Sequence, residues 1–385
     1  MKRIVLVTGS RADYGIMKRL MRRLDDDANI ELDIIATAMH MEKKYGETYK
    51  AIEADGFSLF KKIPLDMHSS TNENIVGEIS QLSLKLSEVF SHNHFDLMVI
   101  LGDRYEMLAA ANTAMIYKIP ICHLHGGEKT LGNYDEFIRN AITKMSHLHL
   151  TSTERYRQRV IQMGEEPSRV INTGSLGVEN VLKSRRKSFS ELLQDLNNTT
   201  LKSKNYYVFL YHPVTLESQS DNLKIEENLL RLMRDENCVF IGSNSDTGSD
   251  AIMDNITRDV VNNKDHFLFN SLSTEDYHAL IQYSNGLIGN SSSGIIEVPS
   301  LSVPTLNVGN RQKGRERGKS VIDVTGNDYN QLHAGFIQMK NIDTYSNPYK
   351  KDNSSLIAYS AIKQYMDNYQ GIEKDFFDVK FTIMR

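Results

Sequence analysis

Two doubly wound α/β domains follow from three observations on this sequence. Short continuous apolar runs alternate with amphipathic segments, as in a parallel sheet covered by helices on both faces. The alternation stops at a polar stretch and begins again beyond it. The length of 385 residues also exceeds what one hydrophobic core usually fills.

The elements can be justified in order. "RIVLVTG" (3–9), "ELDIIAT" (31–37), "DLMVILGD" (96–103), "IPICHLHGG" (119–127) and "LHLTS" (148–152) read as buried strands. Between them, Ile75, Ile79, Leu82, Leu86 and Val89 recur at spacings of four and three and mark one face of a helix over 73–92. The second set is "YYVFLYHP" (206–213), "CVFIGSN" (238–244), "HFLFNS" (266–271), "NGLIGNSSSG" (285–294) and "PTLNVG" (304–309). The polar stretch 183–205 reads as a linker between a domain over 1–182 and one over 206–350. A helical segment within 351–385 is expected to pack back across the domains. The expected architecture is two Rossmann-like domains facing a cleft.

Composition removes several function classes. A net charge of -4 gives no basic field for nucleic acid and no polybasic stripe for a membrane surface. Only Cys122 and Cys238 are present, each inside an apolar run, so both read as buried free thiols of a reducing compartment. No apolar stretch reaches spanning length, and "MKRIVLVTGS" lacks the pattern of a signal peptide, so the expectation is a cytoplasmic chain.

Sheets of this kind bind ligands outside the carboxyl ends of their strands, so the residues just after each apolar run carry the information. "TGSRADYG" (8–15) is a glycine turn opening a helix, which suits an anion, and Arg11 adds a guanidinium donor. An ordinary strand-to-helix turn, with Asp13 as its cap, explains it equally well. In "GNSSSGIIE" (289–297), Ser291, Ser292 and Ser293 can present hydroxyls while Gly294 and the turn present N–H groups to a diphosphate. Glu297, one turn into the following helix, can accept from the vicinal hydroxyls of a ribose, which tips this turn toward a nucleotide. The basic loop "NVGNRQKGRERGKS" (307–320) follows the next strand and can turn an arginine toward a phosphate.

Acids crowd the other strand ends. "LGDRYE" (101–106) puts Asp103 and Arg104 at the sheet's carboxyl edge, and "HGGEKTLGNYDEF" (125–137) adds Glu128, Asp135 and Glu136. His212 ends a strand of the second set. Carboxylates crowded beside a histidine suit general acid/base work, because crowding and burial drive their pKa values apart. A metal site and a plain solvated loop remain open for this stretch. His123 and His125, two apart on an expected strand, would share a face and keep zinc in view, although no H-E-x-x-H, cysteine pair or EF-hand spacing accompanies them.

Taken together, the chain resembles the hydrolysing branch of the UDP-N-acetylglucosamine 2-epimerase family, the bacterial enzymes that feed sialic and legionaminic acid synthesis. The motifs run in order: "RADYG" (11–15), "MHMEKKYGETY" (39–49), "GDR" (102–104), "GGE" (126–128), "DEFIR" (135–139), "HPVT" (212–215), "GNSSSGIIE" (289–297) and "NRQKGRERG" (310–318). The resemblance implies the glycosyltransferase-B arrangement, a UDP-sugar substrate, no metal or cofactor in the chemistry, and a homodimer or homotetramer. It implies that Arg11, Ser291, Ser292, Ser293, Gly294, Glu297 and Arg311 hold UDP. Asp103, Glu128, Asp135, Glu136 and His212 would surround the reacting carbons, with His40, Arg104, Arg139, Asn244 and Asp246 as sugar or phosphate contacts. Ile16, Leu101, His125 and Asn140 depart from the commonest family pattern, around the sugar rather than the UDP. "HGGE" with "TGSLGVEN" (173–180) resembles the legionaminic-acid branch more closely. A non-hydrolysing epimerase, a UDP-sugar glycosyltransferase and a non-catalytic UDP-sugar-binding protein are the rivals. The last has no use for five ionisable residues at strand ends.

Overall fold

A computed structural model describes residues 1–67, 71–131, 134–214, 217–242, 249–269, 272–368 and 371–380. The chain divides into two compact units. The first comprises residues 1–128, 134–179 and 351–385, and the second 129–133 and 180–350.

The first unit is built on seven parallel strands. They are β1 (Lys2–Thr8), β2 (Ile30–Thr37), β3 (Leu59–Ile63), β4 (Leu97–Leu101), β5 (Ile121–Leu124), β6 (Leu148–Thr151) and β7 (Val170–Asn172). They lie in the order β3-β2-β1-β4-β5-β6-β7. The apolar runs are continuous because both faces are buried. Along β1, Ile4 and Leu6 enter one apolar cluster while Val5 and Val7 enter the other. Each such side chain stabilises the fold by about 1.5–3 kcal/mol when taken from water. The helix expected near 73–92 spans Asn72–His92, capped by Thr71, and turns Leu82, Leu86 and Val89 inward.

The second unit has six parallel strands: β8 (Tyr207–Leu210), β9 (Cys238–Ile241), β10 (His266–Phe269), β11 (Gly286–Gly289), β12 (Thr305–Val308) and β13 (Val321–Val324). Their order is β10-β9-β8-β11-β12-β13. Its two faces bury separate clusters, one around Phe209, Phe240 and Phe336 and one around Val208, Leu280 and Leu287.

Two expectations change here. The stretch 183–205 is not a bare linker. It carries the helix Phe189–Asp195, started by a Ser188–Glu191 capping box, and Leu192 and Leu201 are buried in the second unit's core. The C-terminal segment falls wholly within the first unit. There the helix Ser354–Asn368 packs Ala358, Ile362, Tyr365 and Met366 into the cluster that also buries Met17, Leu20 and Leu24 of the helix Arg11–Asp25. Cys122 and Cys238 are buried free thiols in β5 and β9. Among the described residues no helix is long and apolar enough to cross a membrane.

Candidate functional site

Each sheet reverses its strand order once, between β1 and β4 in the first unit and between β8 and β11 in the second. Such a reversal opens a crevice at the strands' carboxyl ends. The described members of the expected set lie beyond the ends of β1, β2, β4 and β5 in the first unit and of β8, β11 and β12 in the second.

In the first unit Arg139 is the hub. It lies on the helix Asp135–Met145 and is only 1% exposed, so each of its donors needs a partner. One terminal nitrogen, Nη1, donates to Glu136 Oε2 at 2.9 Å and to the carbonyl of Glu128 at 3.0 Å. The other, Nη2, pairs with Asp103 at the end of β4. The guanidinium expected to contact substrate thus gathers acids. Glu128 is buried, and its Oε1 accepts from Ser152 Oγ at 2.7 Å and lies 3.3 Å from His125 Nδ1. The turn that delivers Glu128 requires glycine at 127, where φ is +78° and an added Cβ would come within 2.6 Å of the Tyr156 carbonyl. Asp135 and Glu136 occupy the first turn of their helix, where the helix dipole favours negative charge.

The two histidines once candidates for a metal do not share a face. The strand ends at Leu124, and His125 sits in the turn at φ +65°. His123 Nε2 donates to the Gly102 carbonyl at 2.7 Å, and burial drives its imidazole down to about 3. This bond fixes the residue before Asp103. Among the described residues, no group of three His, Cys, Asp or Glu side chains is arranged to hold a metal ion.

At the end of β1, Ser10 rather than Asp13 caps the following helix, accepting from the Asp13 N–H at 3.3 Å. Arg11, the first helical residue, is exposed. His40 is buried between Thr8 Oγ1 at 3.1 Å and Thr48 Oγ1 at 2.8 Å, and burial lowers it to about 4. Arg104 caps the helix Tyr105–Ile116 and directs Nε and Nη2 at the buried Glu106, the closest approach being 2.6 Å.

In the second unit the reversal holds no carboxylate cluster among the described residues and is closely packed. Gly289 ends β11 at φ +144°, where any Cβ would fall 1.9 Å from the Leu210 carbonyl. Asn290 then ties the two strands together: its Oδ1 accepts from the His212 N–H at 2.8 Å and its Nδ2 donates to the His212 carbonyl at 2.7 Å. The His212 side chain is buried and lowered to about 3, by desolvation first and by the Arg311 charge second. Its Nδ1 has no partner among the described residues, which leaves a neutral imidazole with an uncommitted nitrogen. Ser293 Oγ lies 2.6 Å from Tyr277 Oη and 3.0 Å from Ser291 Oγ, while Ser292 precedes the helix as its cap residue. Gly294 is packed against Leu287 and Thr305, where a Cβ would approach to 2.8 Å.

The helix after this turn is only Ser293–Ile296, so Glu297 stands at its end rather than within it, 3.6 Å from His278 Nε2. Of the basic loop, Arg311 donates to the Asn290 carbonyl at 3.3 Å, whereas Arg317 is paired with Asp323. Asn244 and Asp246 lie outside the described residues. Glu106, Ser152 and Asn290 went unassigned in the sequence, although Glu106 and Asn290 sit inside the quoted motifs LGDRYE and GNSSSG.

Two parallel α/β units of this topology make the protein glycosyltransferase-B-like, and comparison with known structures agrees. A UDP-GlcNAc 2-epimerase from Neisseria meningitidis, solved bound to UDP-GlcNAc, superposes with a TM-score of 0.79 at 17% identity, covering 94% of this chain and 100% of that one. The family model for UDP-N-acetylglucosamine 2-epimerase matches residues 22–363, and the chain belongs to that family. It is 45% identical over 390 residues to the polysialic acid biosynthesis protein P7 of Escherichia coli, covering 98% of each. It is 34% identical over 368 residues to the hydrolysing UDP-N,N'-diacetylbacillosamine 2-epimerase of Legionella pneumophila, covering 94% of this chain and 96% of that protein.

Proposed function

We propose that this chain is a hydrolysing UDP-sugar 2-epimerase acting on UDP-N-acetylglucosamine, and that it releases UDP and free N-acetylmannosamine. The observation that carries the reading is the Arg139 clasp, which holds Asp103 and Glu136 together at neighbouring strand ends in a chain of this family. A C2 proton on a sugar is barely acidic, so its removal must be coupled to departure of the group on C1. A carboxylate of the set Asp103, Glu128, Asp135 and Glu136 takes that proton as the C1–O bond breaks, and UDP leaves with the bonding pair. The double bond left between C1 and C2 is a glycal. Its formation passes through an oxocarbenium-like state that the remaining carboxylates stabilise. Water then adds to C1, giving its spare proton to a carboxylate of the set, while a protonated carboxyl returns a proton to C2 on the opposite face. Arg139 keeps the acids at fixed spacing rather than touching the sugar.

UDP is held by Ser291, Ser292, Ser293, Gly294 and Arg311, with Glu297 on the ribose, while Arg11, His40 and Arg104 contact sugar or phosphate. Neutral His212 offers its uncommitted nitrogen to the leaving diphosphate. The chain works in the cytoplasm as a homodimer or homotetramer.

UDP-N,N'-diacetylbacillosamine is the second reading, favoured by the sequence motifs and by the 34% identity to the Legionella enzyme; the 45% identity to the polysialic acid protein favours UDP-N-acetylglucosamine. Incubating each UDP-sugar with the protein and following the products by NMR separates them. The preferred substrate should give UDP and a free manno-configured sugar. Sugar still attached to UDP would mean a non-hydrolysing epimerase, and transfer only to an added acceptor would mean a glycosyltransferase.

A further inference from the structure

One buried acid at the first unit's strand reversal has no part in the proton transfers above. Asp13 lies in the first turn of the helix Arg11–Asp25, and its Oδ2 is buried with no hydrogen-bond partner among the described residues. Burial pushes its carboxyl up to about 6, with Arg104 and Ser10 pulling down and Glu106 pushing up. Arg104 is already matched: its Nε and Nη2 serve the wholly buried Glu106, while its own side chain stays 34% exposed. His40, which feels the Arg104 charge, is held neutral by burial and adds none.

Counting charge gives the consequence. With Asp13 protonated, Arg104 and Glu106 sum to zero. With Asp13 ionised, the cluster is negative at the place where Arg104 offers its remaining face to an anion. The diphosphate of a UDP-sugar carries two negative charges across the whole neutral range. Its arrival favours protonated Asp13, and by linkage loss of that proton weakens its binding. We propose that Asp13 is a positioning residue that sets the net charge around Arg104, so that the protein takes up a proton as it takes up a UDP-sugar. This rests on the UDP-sugar reading above.

The test is the pH dependence of KM for UDP-N-acetylglucosamine in the wild type and in Asp13→Asn, from about pH 5.5 to about pH 8.5. Wild-type KM should rise with pH above about 6, approaching tenfold per pH unit at most, while the variant stays flat. A variant with the wild-type slope would overturn the proposal, because a merely structural Asp13 would change stability and leave the slope alone. Wild-type protein alone supplies a second measurement, calorimetric titration in two buffers of different ionisation enthalpy with the C-glycosidic phosphonate analogue of UDP-N-acetylglucosamine, which carries the same two charges and cannot lose UDP. Net proton uptake near pH 7 supports the proposal, and none overturns it whatever the variant does. A flat wild-type profile with full turnover sinks this proposal only, whereas no UDP release at any pH sinks the substrate reading with it.

Discussion

At β1 and β4 the first sheet gathers Asp13, Asp103, Arg104, Glu106 and Arg139, whereas at β8 and β11 the second gathers Asn290, Ser291, Ser293 and Tyr277. The strand order around the two reversals is the same, β3-β2-β1-β4-β5 against β10-β9-β8-β11-β12. Topology therefore supplies two crevices of one kind, and side chains decide what each can do. Half-buried acids held by a guanidinium can exchange protons with a substrate. Hydroxyls, amides and packed glycines can hold an anion and exchange nothing. The division assigns bond-making to the first unit and UDP to the second, and it can be broken from either side.

The largest effect is expected from Arg139→Leu. Removing one partner of a fully buried ion pair typically costs about 3–5 kcal/mol; Asp103 and Glu136, whose side chains are 23% and 21% exposed, bring the expected loss toward or below the lower end. A urea midpoint should fall accordingly, with turnover lost. Asp103→Asn and Glu128→Gln keep the shape and remove the charge. Each should lower kcat by about 10²–10⁴-fold, the usual range for a general acid or base, while the Kd for UDP holds. If UDP affinity collapsed instead, the acids would be part of the nucleotide site and the division between units would fail.

Asn290→Ala attacks the other side. It strips the His212 N–H and carbonyl of their partners, at about 1–3 kcal/mol for each group left buried and unmade. UDP binding by calorimetry should weaken, and wild-type kcat should be approached at saturating substrate if the second unit only holds. Smaller again is the effect of Asp13→Asn on stability. A carboxyl moved from 3.8 to about 6 is bound by more protons in the folded than in the unfolded chain, so wild-type stability falls as pH rises through that window. The variant should be more stable than wild type by about 1–3 kcal/mol at pH 8, and the gain should vanish near pH 3, as read from urea midpoints at each pH.

How much of this was legible in the sequence follows from burial. Every central strand carried a continuous apolar run and was readable. The strands missed were β3, β7 and β13, all at sheet edges. β3 reads LFKKI with both lysines exposed, β7 is three residues long, and β13 reads VIDV with Asp323 in solvent. Edges tolerate short or half-exposed strands, so the apolar run is broken at these three, whereas β10, also at an edge, reads HFLF and was legible. The acids at the ends of β4 and β5 were legible because strand-end position is readable. The use made of Arg139 was not, since a guanidinium beside two acids in DEFIR looks the same whether it meets a ligand or its own neighbours. Ser152 and Asn290 find their partners 24 and 78 residues away, a pairing that no local pattern encodes.

The central claim is that the first unit's acids break and remake the bond between C2 and its hydrogen. Running the reaction on UDP-N-acetylglucosamine in D2O tests it most directly. The account predicts free N-acetylmannosamine carrying deuterium at C2, together with UDP, and loss of that deuterium signal in Asp103→Asn. Free sugar with its original C2 hydrogen would contradict the account, because UDP would then have left without any proton chemistry at C2.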